Sequence, residues 1–385
     1  MKDKYIIFFT IFFSLYSILN YYIGKVILKG LKLTINISPL AFWIVFCTLS
    51  SSYIISMSLT KYLSQNLANF FSLIGSYWIG FIMYSSLVFP ILGLINFILK
   101  KTSFFNNRVY IMETILVSLL FIILIVIGSY NAKSSYVKSF DIKINKENLK
   151  EPLNIVMVSD IHLGNIIKNN NLKNMVNEIN NLNPDLVIIA GDIIDSDITP
   201  FLNHNMTVEF SNIKSTYGTF AVLGNHDILT KEEDTIVNLL KENSVTVLRD
   251  ESILINDEFY IIGRDDITVS RYTNEPRATL KDLTKNLDKS KPLIVIDHNP
   301  KYIDESLDAN IDLQLSGHTH RGQIIPGNLV TNKIFEVDYG YLKKDNLNVV
   351  VSSGYGTWGP PIRLGSRSEI VQINLGMKEW KIELS

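Results

Sequence analysis

The chain has 385 residues, enough for two or three domain-sized units. Its 36 Lys+Arg nearly balance 37 Asp+Glu, which argues against the basic excess of a nucleic-acid-binding surface. The single cysteine, Cys47, excludes an internal disulfide framework and a thiolate metal cluster.

The apolar residues concentrate in the first 130 positions, as four long runs: Tyr5–Gly24, Pro39–Leu59, Phe70–Leu99 and Val109–Tyr130. The runs contain no Lys, Arg or Asp, and their one acid is Glu113. About 20 apolar residues in a helix span a bilayer core, so each run is predicted to be a transmembrane helix, with Cys47 buried in the second. The third run holds Gly75, Gly80, Pro90 and Gly93, where a tilt or kink is expected. A cleavable signal peptide would explain only the first run, which lacks a small-residue cleavage site.

Lysines suggest an orientation. Loop Lys25–Ser38 carries Lys25, Lys29 and Lys32, and loop Lys100–Arg108 carries Lys100, Lys101 and Arg108. Loop Thr60–Asn69 carries only Lys61, and the N-terminal tail carries Lys2 and Lys4. The positive-inside rule places the two richer loops in the cytoplasm, and everything after Tyr130 outside it.

From Asn131 the composition becomes that of a water-facing domain. Residues 131–150 read as a linker leading into a strand near Phe140–Ile144, and residues 151–385 as an α/β domain. Six short runs there, "LNIVMVSDIH", "PDLVIIAGD", "TFAVLGNHD", "PLIVIDHNP", "IDLQLSGHTH" and "LNVVVSSGYG", suit strands buried on both faces. Helical stretches are predicted at Leu172–Asn181, Lys231–Glu242, Ala278–Leu287 and Tyr302–Asp308, and a hairpin turning at Asn256–Glu258.

Five of the six histidines stand just after these strands. His162 accompanies Asp160 after the first run, Asp192 follows the second, and Asn225 and His226 the third. His298 follows the fourth, and His318 and His320 the fifth. Sites in α/β sheets form beyond the carboxyl ends of strands, so an ordinary structural role for all five is improbable by position alone. His204, in the polar loop "FLNHNMTVEF", keeps that ordinary reading.

Neutral imidazoles with carboxylates suit borderline divalent ions such as Mn, Zn or Fe. Asp160, His162, Asp192, Asn225, His298, His318 and His320 together offer more ligands than one ion needs, so two ions are expected. Asp192, in "AGDIID", is the natural bridging carboxylate.

The motifs "DIH", "GDIID", "GNHD", "DH" and "GHTH", in this order, resemble the signature of the calcineurin-like metallophosphoesterases, over about Asp141–Ser385. The resemblance implies two facing mixed β-sheets flanked by helices. It implies Asp160, His162, Asp192 and His320 around one metal, and Asp192, Asn225, His298 and His318 around a second. His226 would then donate a proton to the leaving oxygen, and Asp195 would orient it. The helices ahead of the domain, "HNP" and the tail "SSGYGTWGPPIRLG" are similar to membrane-associated bacterial members and to transmembrane metallophosphoesterase-domain proteins. Protein phosphatases of the superfamily carry an Arg after "GDxxD", where this chain has Ser196, so phosphoprotein specificity is not implied.

Trp358, Arg363 and Arg367 follow a strand end, and Arg363 is a candidate phosphate or headgroup contact. The reading is a membrane-anchored hydrolase of phosphodiesters, phosphomonoesters or pyrophosphates, using a metal-bridging hydroxide. Its substrate would be a phosphorylated small molecule or lipid headgroup, such as a UDP-diacylglucosamine-like compound. A non-catalytic membrane metal-binding scaffold or sensor is the alternative. A transporter would need ionisable residues inside the helices, where only Glu113 stands.

Overall fold

The computed structural model describes residues 2–59, 62–102, 106–146, 151–273 and 276–377. Chain contacts divide it into two units: residues 1–128 with 359–362, and residues 129–358 with 363–385.

The first unit is built on α1 (Lys2–Lys32), α2 (Pro39–Leu59), α3 (Gln65–Leu99) and α4 (Asn107–Lys133). All four are long and apolar enough to cross a membrane. Exposed apolar side chains such as Leu15, Ile18, Leu116, Ile123 and Val126 coat them, as on helices whose solvent is lipid. Inward, Ile23, Phe42, Phe46, Ile82, Phe89 and Phe121 form the core. Trp78 donates its indole N–H to Asn20 Oδ1 at 3.1 Å, satisfying a polar pair among apolar neighbours. Gly75 faces the backbone of Tyr53 so closely that a side chain there would collide, which lets α2 and α3 approach.

Two expectations change here, and a third lies outside the described residues. Lys25, Lys29 and Lys32 lie on α1 rather than in a loop, because the helix runs on to Lys32. Lys61 lies outside the described residues. Cys47 is exposed on the outer face of α2, since Phe42 and Phe46 take the inward positions.

The second unit contains, among the described residues, twelve strands in two six-stranded sheets. The strands are β1 (Tyr136–Ile144), β2 (Leu153–Val158), β3 (Leu186–Ala190), β4 (Thr219–Val222), β5 (Val245–Val247) and β6 (Glu251–Ile255). Then follow β7 (Phe259–Gly263), β8 (Leu293–Ile296), β9 (Leu313–Ser316), β10 (Gly340–Lys344), β11 (Leu347–Val351) and β12 (Glu369–Met377). One sheet runs β1-β12-β2-β3-β4-β5 and the other β10-β11-β9-β8-β7-β6. The strands β2 to β5 are parallel, as are β7, β8, β9 and β11. β12 lies antiparallel to β2, and β6 and β10 are antiparallel to their neighbours, so both sheets are mixed.

Helices cover both outer faces. They are α5 (Asn169–Asn181), α6 (Thr199–Asn203), α7 (Asn225–Leu229), α8 (Glu233–Glu242), α9 (Ser270–Thr273), α10 (Leu280–Thr284), α11 (Ile303–Asp308) and α12 (Gly327–Ile334). The period-2 alternation of each central strand explains its unbroken apolar run. In β2, Ile155 and Met157 enter the core between the sheets, while Val156 and Val158 pack under Leu172, Met175 and Leu240. In β8, Ile294 and Ile296 face the other sheet, and Leu293 and Val295 meet Leu280 and Ile303.

The strand expected near Phe140–Ile144 begins earlier, at Tyr136, and shortens the expected linker. Only Ser134 and Ser135 separate α4 from β1, which pairs along its whole length with β12, from Tyr136↔Glu369 to Ile144↔Met377. Residues 147–150 lie outside the described residues.

Candidate metal centre

Each candidate residue stands just past a carboxyl strand end. Asp160 follows β2, Asp192 follows β3, His298 follows β8 and His318 follows β9, each after one intervening residue, while Asn225 opens α7 just beyond β4. Five of them turn through the left-handed region: Asp160 (φ 52°), His162 (51°), Asp192 (51°), His318 (71°) and His320 (48°). Non-glycine residues rarely adopt it, and such strain persists where the surroundings over-determine the backbone. Those surroundings are visible. Asp160 N–H donates to Gly191 O (2.9 Å), His162 N–H to Asp192 O (3.0 Å) and Gly317 N–H to His298 O (2.9 Å). His318 N–H is shared between the two carboxylate oxygens of Asp160 at 3.0 and 3.1 Å. Gly224 packs against the Asp192 carboxylate, where any side chain would collide.

Three groups of side chains stand close enough to hold an ion, Asp160–His162–His320, Asp192–His298–His318 and His162–Asp195–His226, and the first two contain the expected ligands. In the first, His320 Nε2 lies 3.0 Å from His162 Nε2 and 3.3 Å from Asp160 Oδ1. In the second, His298 Nε2 lies 3.3 Å from Asp192 Oδ2, and His318 Nδ1 lies 2.8 Å from Asn225 Oδ1. Asp192 links the groups, since the same Oδ2 is 3.9 Å from His162 Nε2.

The donor chemistry fits divalent metal. His298 directs its Nδ1 at the Ala190 carbonyl, 2.8 Å away, which fixes the N–H there. Its buried Nε2 faces Asp192 Oδ2 at 3.3 Å, so one imidazole nitrogen and one carboxylate oxygen meet at a common point where a proton or a metal cation can sit. Burial pushes the imidazole of His162 down to about 4, and that of His318 down to about 4 with the help of His298. Burial also lowers His320 well below the ordinary value, aided by His162 and Arg363. All three are therefore neutral at pH 7, the form that binds metal. Burial opposes the charged forms of Asp192 and His298 too, but their mutual attraction wins, lowering the acid and raising the histidine.

His226 stands beside this set, with its ring centroid 4.8 Å from that of His162. Its Nδ1 lies 2.6 Å from Ser196 Oγ and 3.6 Å from Asp195 Oδ1. Its backbone N–H donates to Asp192 Oδ1 at 2.8 Å. Burial works against the imidazolium, but the Asp195 and Asp192 carboxylates outweigh it and raise the pKa. Ser196 was legible in the sequence only as a missing Arg, and the structure gives it the nearer contact. Asp227 of "GNHD" also escaped the reading. Its buried carboxylate accepts the backbone N–H of Gly224, Ile193 and Ile194, tying the β4 loop to the β3 loop. A carboxylate next to a candidate site was the one available signal.

Arg363 is corrected. It is fully buried rather than at the rim, and donates to Gly354 O (3.0 Å), Gly356 O and Ser366 Oγ (3.2 Å). Its Nη2 lies 3.3 Å from His320 Nδ1. Five donors on a planar fork suit a knot of backbone carbonyls, so the side chain folds inward. Arg367 turns away as well, to the hydroxyl and carbonyl of Ser134 (both 2.6 Å). Of the three tail residues only Trp358 is exposed near the site, its ring 6.0 Å from His226. His204 is exposed at the end of α6, away from these groups.

Two mixed sheets between helical layers, with imidazole and carboxylate groups gathered at parallel strand ends, define a divalent-metal site in a metallophosphoesterase fold. Residues 153–322 match the model of the calcineurin-like phosphoesterases, and the chain belongs to that family. It is 34% identical over 249 residues to an uncharacterised metallophosphoesterase of Campylobacter jejuni, covering 64% of this chain and 65% of that protein. It is 30% identical over 285 residues to the uncharacterised metallophosphoesterase YkoQ of Bacillus subtilis, covering 67% of this chain and 98% of that one. With a Danio rerio transmembrane protein with metallophosphoesterase domain it shares 31% identity over 277 residues, 68% of this chain and 62% of that one. The chain thus spans somewhat less than two thirds of two of these three relatives.

Proposed function

We propose that the protein is a membrane-anchored phosphoester hydrolase dependent on two divalent metal ions. The reading rests on one observation: Asp192 stands between the two ligand groups, its Oδ2 3.3 Å from Nε2 of His298 on one side and 3.9 Å from Nε2 of His162 on the other. Asp160, His162, Asp192 and His320 would hold one ion, and Asp192, Asn225, His298 and His318 the second, as Mn, Zn or Fe. Bound there, the ions would supply Lewis-acid stabilisation of phosphoryl charge and activation of water at neutral pH.

The chain's own groups do the rest. Asp192 contributes a charge shared by both sites and, through Oδ1, fixes the backbone of His226. His226 holds a proton for the leaving oxygen, with Nδ1 anchored by Ser196 and Asp195 so that Nε2 remains for the substrate. Arg363 positions His320 from behind.

The substrate would be a phosphodiester, phosphomonoester or pyrophosphate on a small molecule or lipid headgroup. Four apolar helices would place the bilayer as its partner, and the lysines at the ends of α1 and α3 favour a catalytic unit outside the cytoplasm. Turnover of nitrophenyl mono- and diesters by the purified protein, with Mn, Zn or Mg added after chelation, tests the reading. No hydrolysis of any ester with any of these ions would overturn it.

A further inference from the structure

A second feature lies beyond the ends of β7 and β8, where a pocket of about 420 Å³ is lined by Arg264, Arg271, Arg277, Lys301, Tyr302 and Glu305 among others. Its volume is in the range of small-ligand sites. The lining holds four cations against one acid among its described residues.

Two of the cations are buried and incompletely satisfied. Arg264 pairs with Asp297 (3.2 Å) and Glu305 (2.7 Å) and donates to the Ala278 carbonyl (2.8 Å), yet its buried Nε has no partner among the described residues. Arg277 pairs with the other oxygen of Asp297 (2.9 Å) and donates to the Asp265 carbonyl (3.2 Å), yet its buried Nη2 has none among them. Their side chains are 1% and 9% exposed. A guanidinium N–H shut away from water without an acceptor is unfavourable unless an acceptor arrives. Arg271 and Lys301 stand exposed on the same lining, and Lys301 and Arg277 both lie over the Tyr302 ring, 5.4 and 5.9 Å from its centroid. Asp297, which holds both buried arginines, is the residue immediately before His298. Asp297 thus ties two residues of the pocket lining to the neighbour of a candidate metal ligand.

We propose that this pocket is a phosphoryl-anion site separate from the metal centre, in which the exposed Arg271 and Lys301 supply the donors and the ion-paired Arg264 and Arg277 form the inner wall. The chemistry is that of a guanidinium and an ammonium, the donors that suit phosphate oxygens. Two sources could bring the anion. It is either a second phosphate carried by the substrate, which rests on the hydrolase reading above, or free phosphate acting as an effector.

Calorimetric titration of the full-length, chelator-stripped protein in detergent with inorganic phosphate tests the site without calling on activity. One binding event is expected, weakened at least about ten-fold in the double variant Arg271→Gln, Lys301→Gln, whose residues are both exposed. Absence of binding, or equal binding by the folded variant, overturns the proposal. Kinetics then separates the sources, using the p-nitrophenyl ester of thymidylate with and without an added sugar phosphate. A substrate phosphate in the pocket predicts a raised KM in the variant for the doubly phosphorylated ester only. A free effector predicts that phosphate alters turnover of the simple ester in the parent and not in the variant. A protein that binds phosphate in this way but hydrolyses nothing would sink the hydrolase reading and leave the site standing.

Discussion

The hydroxyl of Ser196 lies 2.6 Å from Nδ1 of His226, nearer than the Asp195 carboxylate at 3.6 Å. Ser196→Ala is therefore expected to slow hydrolysis of esters with poor leaving groups more than Asp195→Asn does. The loss of one orienting hydrogen bond, about 1 kcal/mol, corresponds to roughly five-fold in kcat. The reverse ranking would return the orienting role to Asp195.

His226→Ala should keep its metal content and lose about 10²–10⁴-fold in rate, the usual contribution of a general acid. The deficit should shrink for nitrophenyl leaving groups, which depart without a proton. Metal analysis of the purified variant is the control: a loss of ions would make His226 a ligand instead.

Asp192→Asn removes the carboxylate that stands between the two ligand groups. Metal and activity are expected to disappear together, read by elemental analysis beside the nitrophenyl assay. A variant with full metal content and near-parental turnover would show that the two groups do not depend on this charge.

Chelation should abolish hydrolysis of an aryl phosphodiester, and Mn or another transition ion should restore it best, because imidazole donors favour such ions. Robust activity in Mg alone, with Mn and Zn inert, would contradict the ligand set, since Mg prefers oxygen donors and keeps its waters.

Arg363→Ala is expected to act on stability before kinetics. It leaves the Gly354 and Gly356 carbonyls without their buried donor, at about 1–3 kcal/mol for each orphaned group. A lowered melting temperature of the metal-free protein checks this. An unchanged melt with a raised KM would restore the substrate-contact reading.

How much of this was legible in advance follows from the range over which each feature is decided. Apolar runs of bilayer length, strands buried on both faces and the recurrence of Asp, His and Asn just past those strands are local properties of the sequence. They sufficed for the four helices, an α/β unit and donor residues placed at strand ends, because a strand's period of two and its carboxyl end are set by its own residues, whereas the two facing sheets were implied by the family resemblance. Contacts between distant segments had to be seen. Arg363 is 43 positions from His320, and whether its fork met phosphate or a knot of carbonyls depended on how the tail folded back. The pairing of β1 with β12, more than two hundred residues apart, extended the strand expected near Phe140–Ile144 back to Tyr136 and made it an edge of the sheet. The left-handed backbone at Asp160 and His318 and the nitrogen that His298 presents likewise depend on hydrogen bonds between neighbouring loops. Composition and periodicity carry no record of a partner that the chain reaches only after folding.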